Sequence, residues 1–206
     1  MPKLSARKKE ILDQLMKGTI FEAAVAVLSE HGVKGMTMDR VALAANLAKG
    51  SLYRYFQSKK ALIEFVYSIV VDPIYENLKE VAVMDKTAIE KLSIHVSGVL
   101  DHVAQQLHVF KLLFHDDTAQ GLLQTSQRRS RETGRLLMTE IFRQGISEGV
   151  FRPTDPFLLA CMFTSVCTGV FDTEPELENL EQRESVRHLI MDTLLNGIAT
   201  EQGRVG

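Results

Sequence analysis

Apolar positions recur at the three- and four-residue spacings of amphipathic helices along almost the whole chain. A first helix is predicted from Lys8 to about Glu30, where His31-Gly32 provides a stop signal. Its apolar side chains are expected to share one broad face, which consists of Ile11, Leu12, Leu15, Phe21, Ala24, Val25 and Leu28. The pattern therefore predicts that an amphipathic helix begins at Lys8.

Two short helices are predicted next. The first follows Thr37, whose hydroxyl can cap a helix N-terminus, and the second runs from about Ala48 to Phe56. Asn46, in the turn between them, tolerates a left-handed backbone better than most residues do. Two short helices joined by a tight turn and packed on a longer helix form a helix-turn-helix unit. Their inward positions are Met38, Val41, Ala42, Ala45, Leu52 and Phe56.

Helical periodicity continues to the end of the chain. The predicted segments are about 58–81, 87–114, 118–148, 155–171 and 180–200, with Ser58 as a cap for the first of them. Breaks are expected at Asp72-Pro73, Met84-Asp85, Asp116-Asp117, Pro153 and Pro175. Pro73 lies inside a long helical pattern, which it should kink or interrupt because proline lacks the backbone N–H.

The charge of the chain is unevenly distributed. Its 206 residues carry a net charge of only −2, which taken alone gives no indication of a nucleic-acid partner. Residues 1–60, however, contain 11 Lys and Arg against 5 Asp and Glu, whereas residues 61–206 contain 13 against 21. A basic segment on an acidic body suggests that one part of the protein contacts a polyanion. The alternative is chance clustering of solvated charges.

Several classes of protein are not indicated by the sequence. Two cysteines are too few for a disulfide framework, and no apolar run is long enough to span a membrane. The basic start has no apolar segment behind it, so a secretory signal is not predicted and a cytoplasmic location is expected. Because no nucleophile motif, phosphate-binding loop or metal-ligand spacing occurs, we expect no enzyme activity, no cofactor and no metal site.

The outward positions around the second short helix are suited to DNA. Tyrosine hydroxyls can bond phosphate oxygens, basic side chains supply charge, and a glycine permits close approach of a backbone. The alternatives are a purely structural helical hairpin and tyrosines that are partly buried in packing. The residues concerned are Lys49, Gly50, Ser51, Tyr53, Arg54, Tyr55 and Lys59.

The run from Thr37 to Leu62, TMDRVALAANLAKGSLYRYFQSKKAL, resembles the signature of the TetR family of bacterial transcriptional regulators. The most specific part is LYRYFQSK, from Leu52 to Lys59. Two positions differ from the family pattern, since Asn46 replaces the turn glycine and Ala48 replaces the usual Ser or Thr cap.

The resemblance implies an all-α fold with two parts: a three-helix, helix-turn-helix DNA-binding domain at residues 1–57 and a helical ligand-binding and dimerisation domain at 58–206. It also implies phosphate contacts by Thr37, Tyr53, Tyr55 and Lys59. Lys49, Gly50 and Ser51 would lie in the major groove of double-stranded DNA, and Arg54 is the best candidate for reading a base.

The last two helices carry continuous apolar stripes with small residues that permit close approach. Such stripes can be buried within one protomer, but the family resemblance favours a homodimer interface between copies of these helices. The predicted interface consists of Leu158, Cys161, Met162, Ser165, Val166, Gly169, Val186, Leu189, Ile190, Thr193, Leu194 and Gly197. A homodimer implies a palindromic operator.

The C-terminal part is also expected to hold an unidentified small-molecule effector, because the resemblance implies a repressor that a ligand releases from DNA. An apolar pocket with a few polar anchors would suit an apolar or amphipathic ligand. The candidate lining residues are His95, His102, Phe110, Phe114, Met138 and Phe142. Two other functions stay open: a constitutive DNA-binding dimer without a ligand, and a helical protein–protein interaction module.

Overall fold

The computed structural model describes residues 2–172, Leu177 and residues 179–198, and within these the regular structure is helical. The prediction of an all-α fold is confirmed. The helices are α1 (Pro2–Gly35), α2 (Met38–Ala44), α3 (Lys49–Tyr55), α4 (Lys59–Ala82), α5 (Ala88–Phe114), α6 (Asp117–Ser147), α7 (Pro156–Asp172) and α8 (Leu180–Ile198).

Most helix ends lie within one or two residues of the predicted positions. The expected break at Asp72-Pro73 is wrong, because α4 continues through Pro73 as one helix. One missing N–H costs a helix a single hydrogen bond, and a long helix with a buried side tolerates that loss. The break expected at Pro175 lies outside the described residues.

Helix α1 begins earlier than predicted, and its two halves present apolar side chains on opposite sides. Ile20 and Leu28 are fully buried, but Ile11 and Leu15 are 48% and 62% exposed. Leu12 is also exposed, so the single broad face expected from Ile11 to Leu28 is wrong. Ile11 and Ile20 are nine residues apart, about two and a half helical turns, which places them on opposite sides of the helix.

The described chain divides into two compact units. The first comprises Met1–Val70 and His108–Ser126, and the second comprises Val71–Leu107 with the described part of Gln127–Gly206. Helices α4, α5 and α6 thus contribute residues to both units. The predicted boundary between functional domains, after residue 57, stays a prediction because a compact unit is not the same as a functional domain.

The core of the first unit is apolar and rich in aromatic contacts. Phe56, at the end of α3, lies 4.6 Å from Phe65 of α4, measured between ring centroids. Tyr67 of α4 packs against Phe114, which itself stacks on Phe110 at a centroid distance of 4.1 Å. These contacts fix α3 on α4, so the side chains on the outer side of α3 are held by a rigid base.

The second unit combines an aromatic core with buried polar side chains. Phe142 of α6 packs against Phe151 and Phe163 at centroid distances of 5.4 and 5.9 Å. The buried Lys91 donates hydrogen bonds to the carbonyl oxygen of Ala82 and to Oε1 of Gln144. These bonds satisfy a buried ammonium group with neutral acceptors, and they tie the α4–α5 connection to α6.

Candidate DNA interface

The turn between α2 and α3 has the geometry of a Schellman motif. The N–H of Asn46 donates to the carbonyl of Leu43, and the N–H of Leu47 donates to that of Ala42, at 3.0 and 2.8 Å. Asn46 has a φ of 54°, so its predicted left-handed backbone is present. Asparagine is among the non-glycine residues that adopt this conformation most readily, which explains how the turn forms without glycine.

Side-chain caps are present on the helices on both sides of α3, while α3 itself has none. The hydroxyl of Thr37 accepts a hydrogen bond from the N–H of Arg40, and that of Ser58 accepts one from Ala61. Ala48, at the cap position of α3, has an extended backbone and no side-chain acceptor. The N–H groups of the first turn of α3 therefore receive no side-chain cap from this residue.

Helix α3 has a buried side and a polar exposed side. Leu52 is fully buried and Phe56 is nearly so, which fixes the orientation of the helix. The predicted DNA contacts Lys49, Gly50 and Arg54 are exposed, and Tyr53 is 39% exposed. Thr37 is exposed as well, whereas Ser51, Tyr55 and Lys59 are half-buried. The structure thus brings the predicted residues together around α2 and α3, although their contacts with DNA stay a prediction.

Gly50 is not required by the packing of the protein itself. A Cβ atom added at this position would meet no atom within 4 Å, and the residue has no unusual backbone conformation. A glycine inside an exposed helix costs about 1 kcal/mol relative to alanine. Since nothing within the chain occupies this space, Gly50 leaves the start of α3 open to an external partner.

Lys49 makes an ion pair with Asp39 of α2. Its Nζ lies 2.7 Å from Oδ1 and 3.0 Å from Oδ2 of that carboxylate, and 6.0 Å from the ring centroid of Tyr53. The hydrogen bond and charge of Asp39 raise the pKa of Lys49 above its ordinary value. The ammonium group is therefore charged and has a defined position at the start of α3.

Two further cations lie at the C-terminal end of α1. Lys59 donates to the carbonyl of Lys34 at 3.2 Å, and Arg40 donates to the carbonyl of Gly35. Cations are favourable at helix C-termini, where carbonyl groups lack partners within the helix. Sequence reasoning did not single out Arg40 or Asp39. Their proximity to Thr37 in the chain is the signal that could have identified them.

The predicted effector residues lie in both compact units. His95, Met138 and Phe142 are buried in the second unit, where His102 is half-buried, while Phe110 and Phe114 belong to the first. The Nδ1 atom of His95 lies 2.9 Å from Oδ1 of Asn77, a residue that sequence reasoning missed. Burial lowers the pKa of His95 to about 4. The imidazole is therefore neutral at pH 7 and donates from Nδ1 to the amide oxygen.

The predicted dimer face is only partly exposed. On α7, Leu158 and Met162 are 54% and 50% exposed, and Phe157, which the prediction omitted, is also exposed. On α8, Leu189 is exposed but Ile190 and Leu194 are buried within the chain, and the role of the stripe in a dimer stays a prediction. When the apolar stripe on a helix is wide, one edge of the stripe can be buried in the core of the same protomer while the other edge stays exposed.

The remaining residues predicted for the dimer face fall into three groups. Ser165, Gly169 and Thr193 are exposed, Cys161, Val166 and Val186 are half-buried, and the surroundings of Gly197 lie outside the described part of the chain.

The described residues contain no group of three or more His, Cys, Asp or Glu side chains placed to hold a metal ion. They also contain no helix that is both long and apolar enough to cross a membrane. Cys161 and Cys167 are free thiols, and burial raises the pKa of Cys167 to about 12. A protonated thiol is a poor nucleophile.

Comparison with known proteins agrees with this geometry. Residues 20–66 match the family model described as bacterial regulatory proteins, tetR family. The transcriptional repressor KstR2 of Mycobacterium tuberculosis is 27% identical over 143 residues, which are 66% of this chain and 70% of KstR2. The transcriptional repressor SCO4008 of Streptomyces coelicolor is 26% identical over 160 residues, covering 71% of this chain and 75% of its own.

The fold is shared with a solved regulator. The complex of SmeT with triclosan matches 93% of this chain and 95% of its own with a TM-score of 0.78, at 20% identity. SmeT is the repressor of the multidrug efflux pump SmeDEF of Stenotrophomonas maltophilia. These proteins are regulators and not enzymes, as predicted for this chain. The matched segment contains α2, the turn and α3 with its exposed polar side. This part of the chain is therefore a helix-turn-helix domain of the tetR family of bacterial regulatory proteins, and the chain is a DNA-binding regulator.

Proposed function

We propose that this regulator is a homodimeric repressor that binds a palindromic operator and is released by an apolar or amphipathic small molecule. The observation that carries the proposal is the polar side of α3, where Lys49, Tyr53 and Arg54 stand on a base fixed by Leu52 and Phe56. A helix presented in this way suits the major groove, in which base edges can be distinguished.

Repression is supported by the relatives. KstR2 and SCO4008 are both transcriptional repressors, and they align with 66% and 71% of this chain. A repressor needs only to occupy its operator, so it requires no surface for recruiting polymerase. We therefore place repression before activation.

The homodimer is supported by the exposed apolar side chains of α7 and α8. Phe157, Leu158, Met162 and Leu189 are each about half exposed or more. Helices α7 and α8 also pack against each other, so these side chains belong to one helix pair. A twofold pairing of identical helix pairs would cover them, and it would place two copies of α3 on one duplex. A palindromic operator follows from that symmetry.

The effector site is assigned to the second unit because polar groups are buried there among apolar ones. His95 and its partner Asn77 supply a neutral polar pair, and Met138 and Phe142 supply apolar surface. Helices α4, α5 and α6 contribute residues to both units. The unit with the proposed effector site and the unit with the proposed DNA interface are therefore joined by continuous helices. The effector releases DNA only if it binds the DNA-free conformation more tightly than the DNA-bound one.

Salt-dependent DNA binding tests the DNA contacts. Operator duplexes are selected from a random library with wild-type protein, and affinity is measured over a range of salt concentrations. We expect Lys49→Ala combined with Tyr53→Phe to weaken binding at least about tenfold and to flatten the log–log salt slope by about one unit. Lys79→Ala, which removes an exposed lysine paired with Glu76 on α4, is the control and should change neither.

Three results would contradict the proposal. The first is that wild-type protein has no affinity for any duplex at low salt. The second is that the double variant and the control bind DNA equally well. The third is that the selected duplexes lack an inverted repeat.

The effector is tested with a library of apolar and amphipathic compounds. A true effector raises the melting temperature and also releases the selected duplex, whereas the failure of every compound to do both favours a constitutive dimer.

A further inference from the structure

The ion pair between Asp39 and Lys49 joins the two helices of the helix-turn-helix unit at the surface that is proposed to meet DNA. Both carboxylate oxygens lie within 3.0 Å of the ammonium nitrogen. The side chains are nevertheless 64% and 60% exposed, so the pair lies in solvent and is not part of the core. The ammonium group also faces the ring of Tyr53, a second proposed DNA contact.

The pair is poorly explained by stability alone. Exposed ion pairs contribute little to the free energy of folding, because solvent and salt screen the attraction. The first turn of α2 does favour an acidic residue through the helix dipole, but that effect does not require a partner on α3. The position of the ion pair is therefore better explained by a role in DNA binding than by a role in folding.

A carboxylate on a DNA-facing surface has two effects on binding. It repels the phosphates of any duplex, which weakens binding that depends on charge alone. It also occupies the ammonium group of Lys49, which would otherwise be free to contact the nearest phosphate. Guanine, with its O6 and N7 acceptors, is a base that can replace the carboxylate as a partner for lysine.

We propose that Asp39 is a specificity-determining residue of the DNA interface. Asp39 restrains the ammonium group of Lys49 in the absence of the operator. The ion pair opens only where base acceptors replace the carboxylate. The residue thereby lowers affinity for DNA of arbitrary sequence more than affinity for the operator. This inference rests on the proposed placement of α3 in the major groove.

The test compares Asp39→Asn with Asp13→Asn. Asp13 pairs with Lys17 within α1 at 2.8 Å, and its side chain is 43% exposed, so its substitution removes the same charge from the same compact unit. The two DNA probes are a duplex selected by wild-type protein from a random library and a scrambled duplex of equal length and composition. Affinity for each probe is measured over a range of salt concentrations.

We expect Asp39→Asn to bind the scrambled duplex about three- to tenfold more tightly at low salt, with a salt slope steeper by about 0.9. Affinity for the selected duplex should change less, so the ratio between the two probes falls. Asp13→Asn should leave that ratio unchanged. In a Lys49→Met background, Asp39→Asn should lower the ratio much less, because only the repulsion between the carboxylate and the phosphates is then removed.

The inference is overturned if Asp39→Asn and Asp13→Asn behave alike, or if the ratio falls equally in the Lys49→Met background. A merely structural role of Asp39 would weaken binding to both probes by the same factor, and that result also overturns it. Failure of wild-type protein to bind either probe is a separate result, which removes the proposed DNA interface together with the inference.

Discussion

Helices α3 and α7 both leave one side uncovered by their own chain, but the exposed side chains have opposite chemistry. On α3 they are Lys49, Tyr53 and Arg54, whereas on α7 they include Leu158 and Met162. Charged and hydroxyl groups suit a hydrated polyanion, and apolar groups of this size suit another protein surface. In a protein made of helices throughout its described part, the chemistry of the open side distinguishes one partner from the other.

The interiors of the two compact units differ as well. The buried polar side chains identified in the described chain are Lys91, His95 and Thr139, and all three belong to the second unit. The first unit is held by apolar packing such as that of Leu52, Phe56 and Phe65. A rigid apolar base suits a surface that must keep its shape on DNA, while buried polar groups provide partners for a ligand.

The largest effect is expected from placing a charge on the apolar side of α7. Met162→Glu should convert the homodimer into monomers, because a carboxylate at the centre of an apolar interface would be buried without a partner. Operator affinity should then fall at least about 100-fold, since two linked reading helices gain from effective concentration. Sedimentation measures the oligomeric state, and titration of the selected duplex measures affinity.

Leu136→Glu is the matched control for this substitution. Leu136 is 65% exposed on α6, outside the proposed interface, so the same charge should leave the dimer intact there. If Met162→Glu stays dimeric and binds the operator normally, the apolar side of α7 is not the dimer interface. Circular dichroism confirms that both variants are folded.

The pH dependence of stability should report on the interior of the second unit. The pKa of His95 is lowered from 6.5 to about 4 by burial, so the unfolded chain takes up this proton more readily than the folded chain does. The stability contributed by the neutral imidazole is present above pH 6.5 and is lost as the pH falls towards 4. The full loss attributable to this group is roughly 3 kcal/mol.

Urea denaturation at several pH values measures this loss. His95→Gln, which cannot take up the proton, should show a weaker decline of stability than wild-type protein between pH 6.5 and 4. His188→Gln, which removes an exposed imidazole from the same unit, is the control with which the decline of His95→Gln is compared. Identical pH profiles for wild-type protein and His95→Gln would show that His95 is not titrating as a buried group.

The helix-turn-helix unit could be predicted closely from the sequence because its determinants are local. Thr37 and Ser58 form the predicted caps, and Asn46 adopts the predicted left-handed backbone. Each of these features depends on residues at most five positions apart, so the local sequence contains the information needed to predict it. The ends of the later helices were predictable for the same reason.

Long-range features were less predictable. Periodicity cannot tell which side of a helix is covered, and this led to errors at Ile11 and Leu15. His95 of α5 and Asn77 of α4 are 18 positions apart in the chain. No local pattern in the sequence indicates that these two side chains pair. The ion pair of Lys49 with Asp39 bridges two helices across a turn. Asp39 was not predicted because an acidic side chain is not expected at a surface that binds a polyanion.

The smallest expected effect concerns the uncapped start of α3, and it separates folding from DNA binding within one helix. Ala48→Ser supplies an acceptor at the cap position and should stabilise the protein by about 1 kcal/mol, while Thr37→Ala removes the existing cap of α2 and should destabilise it by a similar amount. Thermal unfolding measures both changes. If the start of α3 faces a phosphate, the new hydroxyl should also strengthen operator binding, whereas a cap that only stabilises the helix would raise the melting temperature and leave affinity unchanged. A serine that stabilises the fold but weakens binding would mean that the open start of α3 is itself required by the DNA.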